Sequence, residues 1–99
     1  ADGVEIYASA IAPGPDGRVY VTGGVASGVE SDVFVATFDP SGALVDYVTF
    51  GGSGYDWGRS IVVGDAGEVF VAGSFRETMT LRGQTFVAGP NDDIFVMRL

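Results

Sequence analysis

The sequence predicts an all-β chain in which one strand motif is written twice. Three observations carry this. Helix signals are poor: Gly makes up 16 of the 99 residues, and no stretch keeps apolar residues at helical spacing over three turns. The apolar residues fall instead in short runs rich in β-branched and aromatic side chains, separated by turn chemistry. The chain also matches itself. At an offset of 50, Ile11 meets Ile61, Gly14 meets Gly64, Gly17 meets Gly67, and Val19, Val21 and Gly23 meet Val69, Val71 and Gly73. Tyr20 meets Phe70 and Tyr7 meets Trp57, aromatic for aromatic. At an offset of 61, Asp32-Val33-Phe34-Val35 meets Asp93-Ile94-Phe95-Val96.

The elements follow in order. Repeat one, residues 1–50, supplies strands near 6–12, 18–23, 32–38 and 44–50. Pro13-Gly14-Pro15-Asp16-Gly17 turns the chain between the first two. Asp39-Pro40-Ser41-Gly42 places Asp, Pro and Gly where a type I turn uses them. Gly51-Gly52-Ser53-Gly54 is a flexible link. Repeat two, residues 51–99, supplies strands near 58–63, 68–74 and 93–99, with a turn at Gly64-Asp65-Ala66-Gly67. It carries 11 extra residues before its third strand. This insertion, Glu77 to Ala88, alternates around Arg82-Gly83-Gln84 and reads as a small added hairpin. A period near 50 with four short strands per unit selects propeller-type blades. The expected fold is two antiparallel blades of about four strands each, the second lacking its last strand. Val19-Tyr20-Val21 and Val69-Phe70-Val71-Ala72 are apolar at every position, so both faces of these strands are expected to be covered.

A family resemblance rests on these residues. Gly51-Gly52-Ser53-Gly54-Tyr55-Asp56-Trp57-Gly58-Arg59-Ser60-Ile61-Val62-Val63, followed by Ala66-Gly67-Glu68-Val69-Phe70-Val71-Ala72-Gly73-Ser74-Phe75, resembles the bacterial beta-propeller repeat family often called SBBP. The tail Asp93-Ile94-Phe95-Val96-Met97-Arg98-Leu99 is similar to that family's closing strand, with Met97 and Arg98 as departures. Repeat one matches through Gly17-Arg18-Val19-Tyr20-Val21-Thr22-Gly23 and Asp32-Val33-Phe34-Val35-Ala36, but carries Asp2-Gly3-Val4 where the family starts Gly-Gly-Ser-Gly. The resemblance implies a propeller blade in a secreted or cell-surface bacterial protein, and no single activity. Kelch-type repeats are the rival resemblance, through Val19-Tyr20-Val21-Thr22-Gly23-Gly24. They would give the same fold.

Composition excludes several classes. Thirteen acidic residues against five basic ones give a net charge of -8, the wrong sign for nucleic acid. No apolar run reaches the length of a membrane-spanning helix. There is no Cys, no His and no Lys, which removes thiol chemistry, the commonest general base and the Schiff-base amine. No catalysis is expected, and no cofactor. The start, Ala1-Asp2-Gly3, has neither initiator Met nor leader, so the chain is expected to be processed or cut from a longer one.

Two places could carry function. The loop Tyr55-Asp56-Trp57-Gly58-Arg59 could be a ligand platform, with Tyr55 and Trp57 stacking on a sugar or ring and Asp56 and Arg59 hydrogen bonding. It could equally be a connector, with Trp57 packed under a neighbouring blade and Asp56 capping backbone amides or pairing with Arg59. The connector reading is preferred because the motif belongs to the repeat. The second place is the closing strand. Asp93, Ile94, Phe95, Val96 and Met97 would form an apolar edge open to pairing. Asp92 and Asp93 do not read as a metal site, since no Ca2+ loop spacing is present. Thirteen carboxylates leave room for Ca2+ between copies, but no spacing calls for it. The leading expectation is a structural or interaction module that assembles with further blades, from other copies or a longer chain. A glycan- or small-ligand-binding propeller is the alternative, and a glycoside-acting enzyme fragment comes third.

Overall fold

Strand follows strand because turn residues interrupt every apolar run before a helix could nucleate. The structure is a computed structural model that describes residues 4–27, 30–52, 54–81, 84–87 and 93–99. Strands β1 (Val4–Pro13), β2 (Val19–Ser27), β3 (Glu30–Phe38) and β4 (Leu44–Phe50) form one antiparallel sheet in chain order. Then come β5 (Asp56–Val63), β6 (Val69–Phe75), a hairpin of β7 (Thr78–Leu81) and β8 (Gln84–Val87), and β9 (Asp93–Arg98). Strands β5, β6 and β9 make a second antiparallel sheet in that order. The protein is therefore all-β, with two blade-like sheets of four and three strands. Within the insertion β7 and β8 pair antiparallel as the expected hairpin, and Arg82, Gly83 and Ala88 lie outside the described residues.

Three hairpins close through the same device. Gly17, Gly42 and Gly67 donate their amides to the carbonyls of Gly14, Asp39 and Gly64, three residues back. Each of these closing glycines has a positive φ, between 84° and 92°, which an L side chain adopts only with strain. The Ser41 hydroxyl and the Ala43 amide also donate to the Asp39 carboxylate, which holds that carboxyl below its ordinary pKa.

The repeat is written in the register as well. A β-bulge at Ser9 interrupts the β1–β2 pairing, and one at Arg59 interrupts β5–β6 at the equivalent place. Gly23 and Gly73 serve both bulges alike. A Cβ on either would fall 1.8 or 2.0 Å from the carbonyl oxygen of Tyr7 or Trp57.

The two sheets pack face against face, with β5 lying over β1, β2 and β3. The first sheet's forward face contributes Ala12, Val33 and Val35. The second sheet's rear face contributes Ile61, Val69, Val71, Phe75 and Phe95, and together they form the core. Thr22 is buried on the same forward face and satisfies its hydroxyl on the Phe34 carbonyl. Met79 of the inserted hairpin is fully buried in this core. Its backbone is tied in by the Thr80 amide, which donates to the Gly51 carbonyl at 3.1 Å.

The other two faces differ from expectation. Continuous apolarity in β2 and β6 implies that both faces are covered, yet Phe70 is 39% exposed while its neighbours Val69 and Val71 are buried. The difference is one of side. Val69 and Val71 point at the first sheet, and Phe70 points away from it. On the second sheet's forward face Val62, Ile94 and Val96 are exposed, and on the first sheet's rear face Ile6 and Ile11 are exposed.

Candidate functional site

The connector between the sheets holds the richest chemistry. Gly51 follows directly on β4, and Asp32 and Asp56 both crowd it: a Cβ on Gly51 would fall 2.4 Å from Asp32 Oδ1 and 2.6 Å from Asp56 Oδ2. Any side chain there would have to displace these carboxylates. Chain segments from both repeats meet at this point. The Ser31 amide donates to the Gly54 carbonyl at 3.1 Å, and the Ser31 hydroxyl donates to the Asp56 carbonyl at 3.0 Å. Ser31 and Tyr55 form a parallel bridge.

Asp56 is fully buried. Its Oδ2 accepts from the Gly52 amide at 2.8 Å, while Oδ1 has no hydrogen-bond partner. Burial without full satisfaction disfavours the charged form. The carboxyl is pushed up to about 6, chiefly by burial, with the charges of Asp32 and Glu30 adding and the Gly52 and Arg76 amides opposing. The Arg76 amide is itself committed to the Tyr55 carbonyl at 2.8 Å. Burial and the Glu30 charge raise Asp32 as well. Among the described residues, no group of three or more His, Cys, Asp or Glu is placed to hold a metal ion.

The structure gives the four loop residues different surroundings. Asp56 faces inward. Trp57 is half-buried between the sheets, its ring 5.5 Å from that of Tyr7 and its Nε1 donating to Ser9 Oγ at 2.9 Å. A Cβ on Gly24 would fall 2.4 Å from that indole, so the first sheet is hollowed by a glycine to receive it. Tyr55 is exposed, with the Arg76 guanidinium 5.6 Å from its ring centre. Arg59 is exposed at its bulge. Of the two partners the sequence offers Asp56, a backbone amide is the one it takes, at Gly52.

At the closing strand, β9 lies at the edge of its sheet. Ile94 and Val96 are 79% and 73% exposed, Asp93 is exposed, Phe95 is buried and Met97 is half-buried against the core. Asp92 lies outside the described residues. Asp32 is the site residue the sequence did not single out. It stands 24 positions from Asp56, and its only sequence signal is that it heads the Asp-Val-Phe-Val run repeated at Asp93. No protein-family model, curated protein or solved structure matches this chain.

Proposed function

We propose that this protein is a structural and interaction module: two blades of a β-propeller-type repeat that assemble with further blades in an extracellular or surface protein. One observation carries the reading. The centre of the motif richest in binding chemistry is consumed in joining one sheet to the next, with Trp57 seated on Tyr7, Ser9 and Gly24 and Asp56 fully buried, while Tyr55 and Arg59 stay exposed. Large apolar side chains stand exposed on the two outward faces instead, among them Ile6, Ile11, Val62, Ile94 and Val96. Apolar surface of that extent on a small domain favours association, at roughly 25 cal/mol per Å2 removed from water.

The test is the molar mass of the purified chain by light scattering on a sizing column. A discrete oligomer of three or four chains would be a closed ring of blades, and large heterogeneous species an open array. A folded monomer at high concentration would refute the reading. The ligand-binding alternative makes a different demand. It requires that Trp57→Ala abolish glycan binding while leaving the fold and the assembly intact.

A further inference from the structure

The interface inside the chain is a template for one between chains. Each sheet has a rear and a forward face, and the repeat makes the two rear faces equivalent and the two forward faces equivalent. The first sheet's forward face meets the second sheet's rear face inside the molecule. The first sheet's rear face and the second sheet's forward face are left pointing outward.

Exposure follows this equivalence at the aliphatic positions, while Phe34, the rear-face equivalent of Phe95, is covered within its own sheet by stacking on Tyr47. Val33 and Val35 on the used forward face are 0% and 2% exposed, whereas their equivalents Ile94 and Val96 are 79% and 73% exposed. On the rear faces, Ile61 is 6% exposed and its equivalent Ile11 is 69% exposed. The side chains that build the internal interface are repeated, in kind, on the outward faces.

The small residues are matched as well. Inside the molecule Gly58 sits against Thr22, with a Cβ on Gly58 falling 2.2 Å from the threonine hydroxyl. The outward equivalents are Ala8 and Ala72, so a glycine facing threonine becomes alanine facing alanine. Gly24 lies against the Trp57 indole. Its equivalent is Ser74, and the residue that would face it is Tyr7, so the larger side chain is met by the smaller ring. Where the Ser9 hydroxyl receives Trp57 Nε1, the equivalent residue is Arg59. The group Arg59 would meet is Tyr7, whose hydroxyl already donates to the Glu5 carboxylate. A cation is thus placed for a carboxylate. Beside these, the first sheet's β1–β2 edge holds a hollow of about 370 Å3 lined by Ala8, Ser9, Ala10, Ile11 and Val21, four of them equivalents of the Gly58-to-Ile61 segment that lies against the first sheet inside the chain.

We infer that a second copy of this chain docks head to tail, its first sheet's rear face stacked on this copy's second-sheet forward face, with Ile94 and Val96 against Ile11, Ala72 against Ala8, and Arg59 beside Tyr7 and Glu5. This rests on the module reading and deepens it by naming the partner and the surfaces: contact is by sheet face rather than by pairing along the β9 edge.

The test uses two charge insertions and their mixture. Phe70→Asp lies on a central strand, so it spoils the forward face without touching strand-edge pairing. Ile11→Asp spoils the rear face. Circular dichroism checks that each remains folded. If either does not, Val62→Asp, on the same forward face and away from the β9 edge, replaces the first and Ile6→Asp the second. The expected result is that the wild-type chain assembles, each variant alone falls to the mass of one chain, 10.2 kDa, and an equimolar mixture gives twice that mass. In the mixture one intact forward face meets one intact rear face. If the wild-type chain assembles and both variants assemble equally well, face stacking is wrong while the module reading survives. If the variants are monomeric but the mixture does not pair, the head-to-tail arrangement is wrong. A folded wild-type monomer overturns both.

Discussion

Asp56 makes stability depend on pH in a direction opposite to that of most paired carboxylates. Its carboxyl stands at about 6 in the fold against an ordinary value of 3.8. The folded protein therefore holds a proton over a range in which the unfolded chain has lost it. Stability from this group is fully present below pH 4 and falls as pH rises through about 6, after which the loss is complete. The difference between about 6 and 3.8 corresponds to about 3 kcal/mol. Asp32, also raised, acts in the same direction. The assay is urea denaturation from pH 4 to pH 8, comparing the wild-type chain with Asp56→Asn. Asparagine keeps an acceptor for the Gly52 amide and carries no charge. The variant should equal the wild-type chain near pH 4 and exceed it by about 2–3 kcal/mol at pH 8. The comparison removes the general effect of an acidic chain gaining charge, because both proteins share it. Parallel pH profiles, or a wild-type stability that rises from pH 4 to pH 7, would refute the reasoning.

Three other outcomes follow from particular contacts. Met79→Ala should cost about 2–5 kcal/mol in chemical denaturation, because the side chain is fully buried in the common core; a loss under 1 kcal/mol would mean the hairpin is a dispensable appendage. Gly42→Ala should cost about 1–2 kcal/mol through backbone strain alone, since φ is 92° and no atom lies within 4 Å of the added Cβ; an unchanged melting temperature would contradict the turn geometry. Trp57→Ala should destabilise the chain by roughly 2–3 kcal/mol and weaken its assembly, because the indole bridges the sheets; a variant of full stability would return Trp57 to the ligand-platform reading.

Local chemistry was legible in the sequence, and long-range chemistry was not. The turns at Gly14–Gly17, Asp39–Gly42 and Gly64–Gly67 could be placed because Gly and Pro act within four residues. The inserted hairpin could be read from alternation about a central glycine. The burial of Met79 could not, because nothing in its own strand says that the hairpin folds back onto a core supplied by both repeats. Phe70 shows a different limit. An unbroken apolar run says that both faces of a strand suit an apolar contact, not that each face has one within the same molecule. The nearness of Asp32 and Asp56 was equally hidden: Gly51 brings them together, and its neighbours in sequence read only as a flexible link. The bulges at Ser9 and Arg59 leave no sequence signature of their own, though the alignment of Tyr7 with Trp57 marks the position one turn of the strand earlier.

The most direct measurement is a covalent one. The chain has no cysteine, so any disulfide reports a designed contact. Inside the molecule the Gly58 and Thr22 positions are close enough for their Cβ atoms to reach disulfide separation. Ala8 and Ala72 are their outward equivalents. A chain carrying Ala8→Cys and Ala72→Cys together, oxidised gently and run on a denaturing gel, should give a ladder or a closed set of linked chains that reduction collapses. Single substitutions should give neither. A double variant that assembles in solution yet remains uncrosslinked, or links only within one chain, would contradict the claim that the internal sheet-to-sheet contact is repeated between copies.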